Sequence, residues 1–101
     1  EFLGKRMTLK RTLDTNGYNT GTDFGDIEYS EDFDLYLYKE VGYDEIGNLT
    51  SGLFYSPYAA TSVNEYFANG IENFFLGNRE HLKKISPQLT KKIWEITNDE
   101  I

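Results

Sequence analysis

Tyr58-Ala59-Ala60-Thr61-Ser62-Val63-Asn64-Glu65-Tyr66-Phe67-Ala68-Asn69-Gly70-Ile71-Glu72-Asn73-Phe74-Phe75 is the stretch on which the fold turns. It reads as a tyrosine-bearing loop of small residues running into a helix. Ser62 is a good N-cap, because its hydroxyl can accept from a first-turn N–H. Glu65, three residues on, completes the capping-box spacing. At 100° per residue, Val63, Phe67, Ile71 and Phe74 fall within roughly 80° of one another, which predicts one core-facing stripe. Glu65 faces away from that stripe, beside Ala68, Asn69 and Glu72. Gly77-Asn78 supplies the stop.

Outward from this helix the breaks are legible. Ser86-Pro87 reads as an N-cap with proline at the first helical position, where its missing N–H is no loss. The helix that follows is expected to bury Leu89, Ile93 and Ile96, with Trp94 off the stripe. Arg79 to Lys84 is a short connecting segment in which His81 reads as a surface or capping histidine. Upstream, Ser30-Glu31-Asp32 looks like a helix start, since acids suit the positive end of the dipole. Phe33, Tyr36, Leu37 and Val41 follow at helical spacing, although Asp34 to Tyr38 also alternates as a strand would. Gly42, Gly47, Gly52 and Pro57 mark 42–57 as loop, with a short extended piece at Leu53-Phe54-Tyr55. Asn48-Leu49-Thr50 matches a glycosylation sequon, a pattern too short to carry weight. The Gly, Asn and Thr content of 15–27 is that of a loop. Residues 5–13 can form a short helix offering Met7, Leu9 and Leu13. The expected fold is mainly α, three to four helices with long loops, and an α+β arrangement stays open. Residues 1–101 are one domain or the C-terminal part of one.

Composition narrows the function classes. The chain has 101 residues, 39% hydrophobic and 16% aromatic, which argues against disorder. It has no cysteine, so neither a disulfide nor a thiolate metal site can form. The Glu1-Phe2 start carries no signal-peptide pattern and is open to being a cut within a longer chain. Net charge is −7, unevenly spread: residues 23–45 hold nine acids against Lys39 alone. Such a surface repels phosphate backbones and attracts basic partners. No apolar run is long enough to span a membrane.

Tyr58 and Glu65 are the candidates for chemistry. Each has a plain explanation by itself, as a loop aromatic and as a capping-box acid. Together, seven apart across a small-residue loop, they resemble the last part of the catalytic domain of anthrax-lethal-factor-like zinc metallopeptidases. The resemblance covers most of the chain: Ser30 to Val41 is similar to that family's acidic-capped helix, and residues 86–98 to its closing helix. It implies a zincin-type domain with zinc as cofactor, a peptide or protein substrate and a secreted bacterial setting. Glu65 would be the third zinc ligand, and Tyr58 the phenol that hydrogen-bonds the oxyanion.

The family's His-Glu-x-x-His helix is not matched. The chain holds one histidine, His81, and it lies downstream. Counting back from Ser30, the nearest fit to the motif runs Met7 to Asp14, with Leu13-Asp14 as its end. The two histidines would then be Met7 and Arg11, and the general base Thr8. A thioether is a weak, soft ligand, a guanidinium repels Zn²⁺ and a threonine hydroxyl is no base near neutral pH. Asn69, one turn after Glu65, departs from the acid common in that family. Two expectations follow: a degenerate copy that has lost catalysis, or a portion of a longer domain. Either way the polypeptide alone is expected to be inactive, with zinc absent or incompletely held. The alternative is a non-catalytic toxin-type docking module that uses its acidic 23–45 face to bind a basic surface.

Overall fold

The computed structural model describes residues 1–99, and among these every regular element is helical and no strand forms. The mainly α expectation therefore holds. α1 spans Phe2–Thr15. α2 (Glu31–Leu35) runs on into a π-helical turn over Tyr36–Val41. α3 spans Tyr43–Leu49, a 3₁₀ turn covers Pro57–Ala60, and α4 (Val63–Phe75), α5 (Arg79–Ile85) and α6 (Pro87–Asp99) complete the chain.

Three boundaries differ from the sequence reading. Residues 43–49, expected as loop, form α3. Its first turn carries Asp44 and Glu45, and Gly42, at φ +93°, makes the sharp entry that only glycine adopts freely. Leu53-Phe54-Tyr55 is not extended; a run of turns brings Phe54 into the core. The connecting segment at 79–84 is helix α5, capped by the Asn78 side chain, which accepts from the His81 N–H at 3.0 Å. His81 thus sits in the first turn of a helix, its ring 5.3 Å from that of Tyr55.

The central stretch folds as its caps predict: the Ser62 hydroxyl accepts from the Glu65 N–H at 3.1 Å. Its buried face is rotated, however. Tyr66, Gly70 and Phe74 are buried, Val63 and Phe67 are half-buried and Ile71 is exposed. The stripe turns by about 60° at 100° per residue, toward positions that a count of aliphatic residues passes over. Gly70 is the cause, because it brings α6 close: a Cβ there would lie 2.5 Å from Leu89 Cδ2.

In α6, Leu89 and Ile93 are buried as expected, while Ile96 is exposed. Ser86 does not serve as the working cap. Its hydroxyl lies 2.7 Å from the Tyr66 hydroxyl, and the Glu1 carboxylate takes the first-turn donors, accepting from Gln88 N–H at 2.8 Å and Leu89 N–H at 3.1 Å. Acid at a helix N-terminus meets both its free N–H groups and its positive end.

α1 buries one side in the core. Phe2, Arg6, Leu9 and Leu13 are its buried residues and fall on one side of the helix, within roughly 60° of each other. Phe2 packs on Tyr66 (ring centroids 5.1 Å apart) and on Phe54 (6.4 Å). Lys5 Nζ donates to the carbonyls of Leu53 and Ile85, and burial pulls its pKa down. The loop at 15–29 is loop as expected, organised by side chains that close turns. Asp23 accepts from Gly25 N–H and Asp26 N–H, and Asp26 from Glu28 N–H.

Candidate functional site

Tyr58 is the second residue of the 3₁₀ turn and Glu65 lies in the first turn of α4, so the small-residue segment between them is tightly folded. Tyr58 is 43% exposed, and its ring stands 5.5 Å from that of Tyr43, edge-on. Partial desolvation, with the charges of Asp34 and Glu65 nearby, raises the Tyr58 pKa. The phenol therefore keeps its proton across the physiological range, as a hydrogen-bond donor must. Glu65 is half-buried.

Asp34 gathers the surrounding phenols, a role the sequence reading missed. Tyr29 donates to its Oδ2 at 2.8 Å and Tyr43 to its Oδ1. Hydrogen bonding to that carboxylate raises Tyr29 to about 12; for Tyr43 burial is the larger cause and the same bond adds to it. Tyr38 is 63% exposed and lies 6.3 Å from Tyr43. Tyr29, Tyr38, Tyr43 and Tyr58 thus line an aromatic surface around Asp34, with Glu65 beside Tyr58. The signal available in the sequence was the density of tyrosine among acids over 29–45. Tyr29 reaches Asp34 across five positions, whereas the Tyr43 bond to it depends on the turn at Gly42, which no periodicity announces.

α1 meets this face through Arg6. Its side chain is fully buried; Nε donates to Ala60 O at 2.6 Å and Nη2 to Thr61 O at 2.9 Å. Nη1 reaches Phe24 O and Asp26 O, both at 3.0 Å. The guanidinium lies over the Phe33 ring at 4.0 Å. Burial lowers its pKa to about 10, against the opposing pull of Asp26 and Asp23. Arg6 thus clamps the segment joining Tyr58 to Glu65.

The proposed motif positions sit elsewhere on the helix. Met7 is half-buried against the core, off the line of Phe2, Arg6, Leu9 and Leu13, and Arg11 is exposed. Thr8 Oγ1 donates to Gly4 O at 3.0 Å and accepts from Arg11 Nη2 at 3.1 Å. Glu65 lies close enough to Tyr58 for its charge to act on the phenol, while Thr8 and Arg11 bond to each other. Among the described residues no three His, Cys, Asp or Glu side chains gather as a metal-ligand group. Asp34, the carboxylate near Tyr58, already accepts two phenols, and the α1 residue that reaches this face is a cation. This donor set does not fit a zinc ion, so no step through zinc is derived.

Comparison with known proteins gives no match: no family model fits the sequence, and no curated protein or solved structure is similar to it. Among the described residues no helix is long and apolar enough to cross a membrane.

Proposed function

We propose that this chain is a non-catalytic protein-interaction module, a degenerate relative of the lethal-factor-like peptidase domain, which binds a basic segment of a partner on its acidic, tyrosine-rich face. The observation that carries the reading is the Asp34 cluster: Tyr29 and Tyr43 are held by hydrogen bonds to its carboxylate, and the exposed rings of Tyr38 and Tyr58 stand beside Tyr43. Tyrosine supplies large, stiff contact area, and its ring face attracts cations. Glu31, Asp32 and Glu65 add the charge that would draw a lysine- or arginine-rich strand to it.

The peptidase ancestry is part of the proposal and rests on the resemblance, as does a secreted bacterial setting. Its support is positional. Tyr58 and Glu65 flank the segment whose Ala60 and Thr61 carbonyls accept from Arg6 of α1. A guanidinium reaches that segment from α1, so the site would hold partner residues in place of metal.

The test is a titration with a lysine- and arginine-rich peptide, followed by calorimetry, on the native chain and on Tyr38→Ala/Tyr58→Ala. Saturable binding that the double variant weakens tenfold or more is expected, corresponding to about 1.4 kcal/mol. A peptide that does not bind, or binds both chains alike, removes the proposal. A zinc titration runs beside it: tight binding lost in Glu65→Gln would restore the peptidase reading.

A further inference from the structure

We propose a second binding site, separate from the acidic face: the cleft between α5 and α6 takes a small ligand with an anionic head on an aromatic body. A cleft of about 360 Å³ opens there, within the size of small-ligand sites. Phe74, Pro87 and Trp94 form its apolar wall, and Arg79, Lys83 and Lys91 bring three cations to it. Among the described residues Glu80 is the one acid that lines it. In a chain of net charge −7 this is a local reversal of sign.

The cations are available. Among the described residues the single salt bridge is Lys10 to Asp14, so none of the three is neutralised by a carboxylate within 4 Å. Arg79 is also fixed in place. Its Nε donates to Phe74 O at 3.0 Å, and its guanidinium lies over the Phe74 ring at 4.0 Å. Its Nη atoms, with no protein partner among the described residues, are left for an incoming acceptor. Lys83 and Lys91 come from different helices, so an anion between them is met from both sides. Trp94, 55% exposed, offers the surface on which a ligand ring would lie.

Trp94 is the only tryptophan of the chain, so its fluorescence reports on this cleft. The native chain is titrated with phenyl phosphate, inorganic phosphate and phenyltrimethylammonium, with ¹H–¹⁵N shifts mapped in parallel. Phenyl phosphate is expected to bind saturably and to shift amides within 79–94. Inorganic phosphate should bind at least fivefold more weakly, since it lacks the ring, and the cation should leave these amides unmoved. Lys83→Met/Lys91→Met keeps both apolar stems and removes the charge. It should weaken phenyl phosphate about fivefold, the effect of two exposed ion pairs. Circular dichroism checks its fold, and Lys83→Gln/Lys91→Gln replaces it if it does not fold. Absence of saturation, equal binding of the two anions, equal response to the cation, or unchanged affinity in the folded double variant would each overturn the proposal.

Discussion

Arg6 is the residue whose loss this fold should feel most. It satisfies four carbonyls from two separate segments while burying its charge between aromatic rings. Arg6→Met preserves bulk but strands those carbonyls, and each buried unsatisfied group costs about 1–3 kcal/mol. Some carbonyls will find water, so the expected loss in urea unfolding is about 3 kcal/mol; a loss below about 1 kcal/mol would refute the clamp. Tyrosine gives a second residue-scale expectation. Tyr43 and Tyr66 both have pKa values raised by burial first, and by bonds to Asp34 and Glu1 respectively. A folded pKa above the unfolded value near 10 means the folded chain holds protons the unfolded chain has released. Their contribution is intact below pH 10 and lost as pH rises beyond it. Lys5 and Arg6, with lowered pKa values, act in the opposite sense, so the comparison must be between variants. Tyr43→Phe should be less stable at pH 7, where it leaves Asp34 one donor short. Above pH 10 its stability should fall less steeply than that of the native chain, as read from denaturant midpoints at each pH.

At the scale of elements, the α4–α6 crossing depends on the absence of one side chain. In a free helix Gly70→Ala would gain about 1 kcal/mol of propensity. Here the added methyl would lie 2.5 Å from Leu89 Cδ2 and 3.3 Å from Ile93 Cδ1, and both partners are themselves buried. Overpacking of this kind costs about 1–3 kcal/mol, so a net destabilisation of about 1 kcal/mol or more is expected, measurable as a lower Tm. A stabilised variant would mean the crossing is looser than described. This crossing also explains what could be read in advance. Caps at Ser30 and Ser62 are local, since serine and the N–H it meets lie three residues apart, and both were legible. The face of α4 was not, because Gly70 is buried for what it lacks and Tyr66 for a hydroxyl that reaches Glu1 and Ser86. Glu1 capping α6 spans 87 positions and leaves no local trace. Of the candidate site, Tyr58 and Glu65 are neighbours through a short turn, as their spacing implied. Asp34 and Arg6 join them only through tertiary packing. Arg6 was passed over because a basic residue reads as solvated, although it shares the 2, 6, 9, 13 spacing of the packed side of α1.

Across the whole molecule, 47 × 23 × 19 Å in extent, charge is segregated along the sequence. Nine acids lie within residues 23–45, while α5 and α6 hold Arg79, Lys83, Lys84, Lys91 and Lys92. The one salt bridge among the described residues is an exposed pair four apart on α1, Lys10–Asp14 at 3.4 Å. Such a pair contributes about 0.3–0.5 kcal/mol, so screening removes little attraction. Repulsion among the acids is spread over exposed positions and is screened efficiently once the Debye length falls to about 10 Å at 0.1 M salt. Raising sodium chloride from 10 to 300 mM should therefore raise Tm. A fall would mean that attractive pairs outweigh the crowding of acids. The same salt series should weaken the basic peptide proposed for the tyrosine face, because that association draws on the potential the salt screens. Stability rising while affinity falls is a signature of the acidic face that neither unfolding nor a general loss of structure would produce.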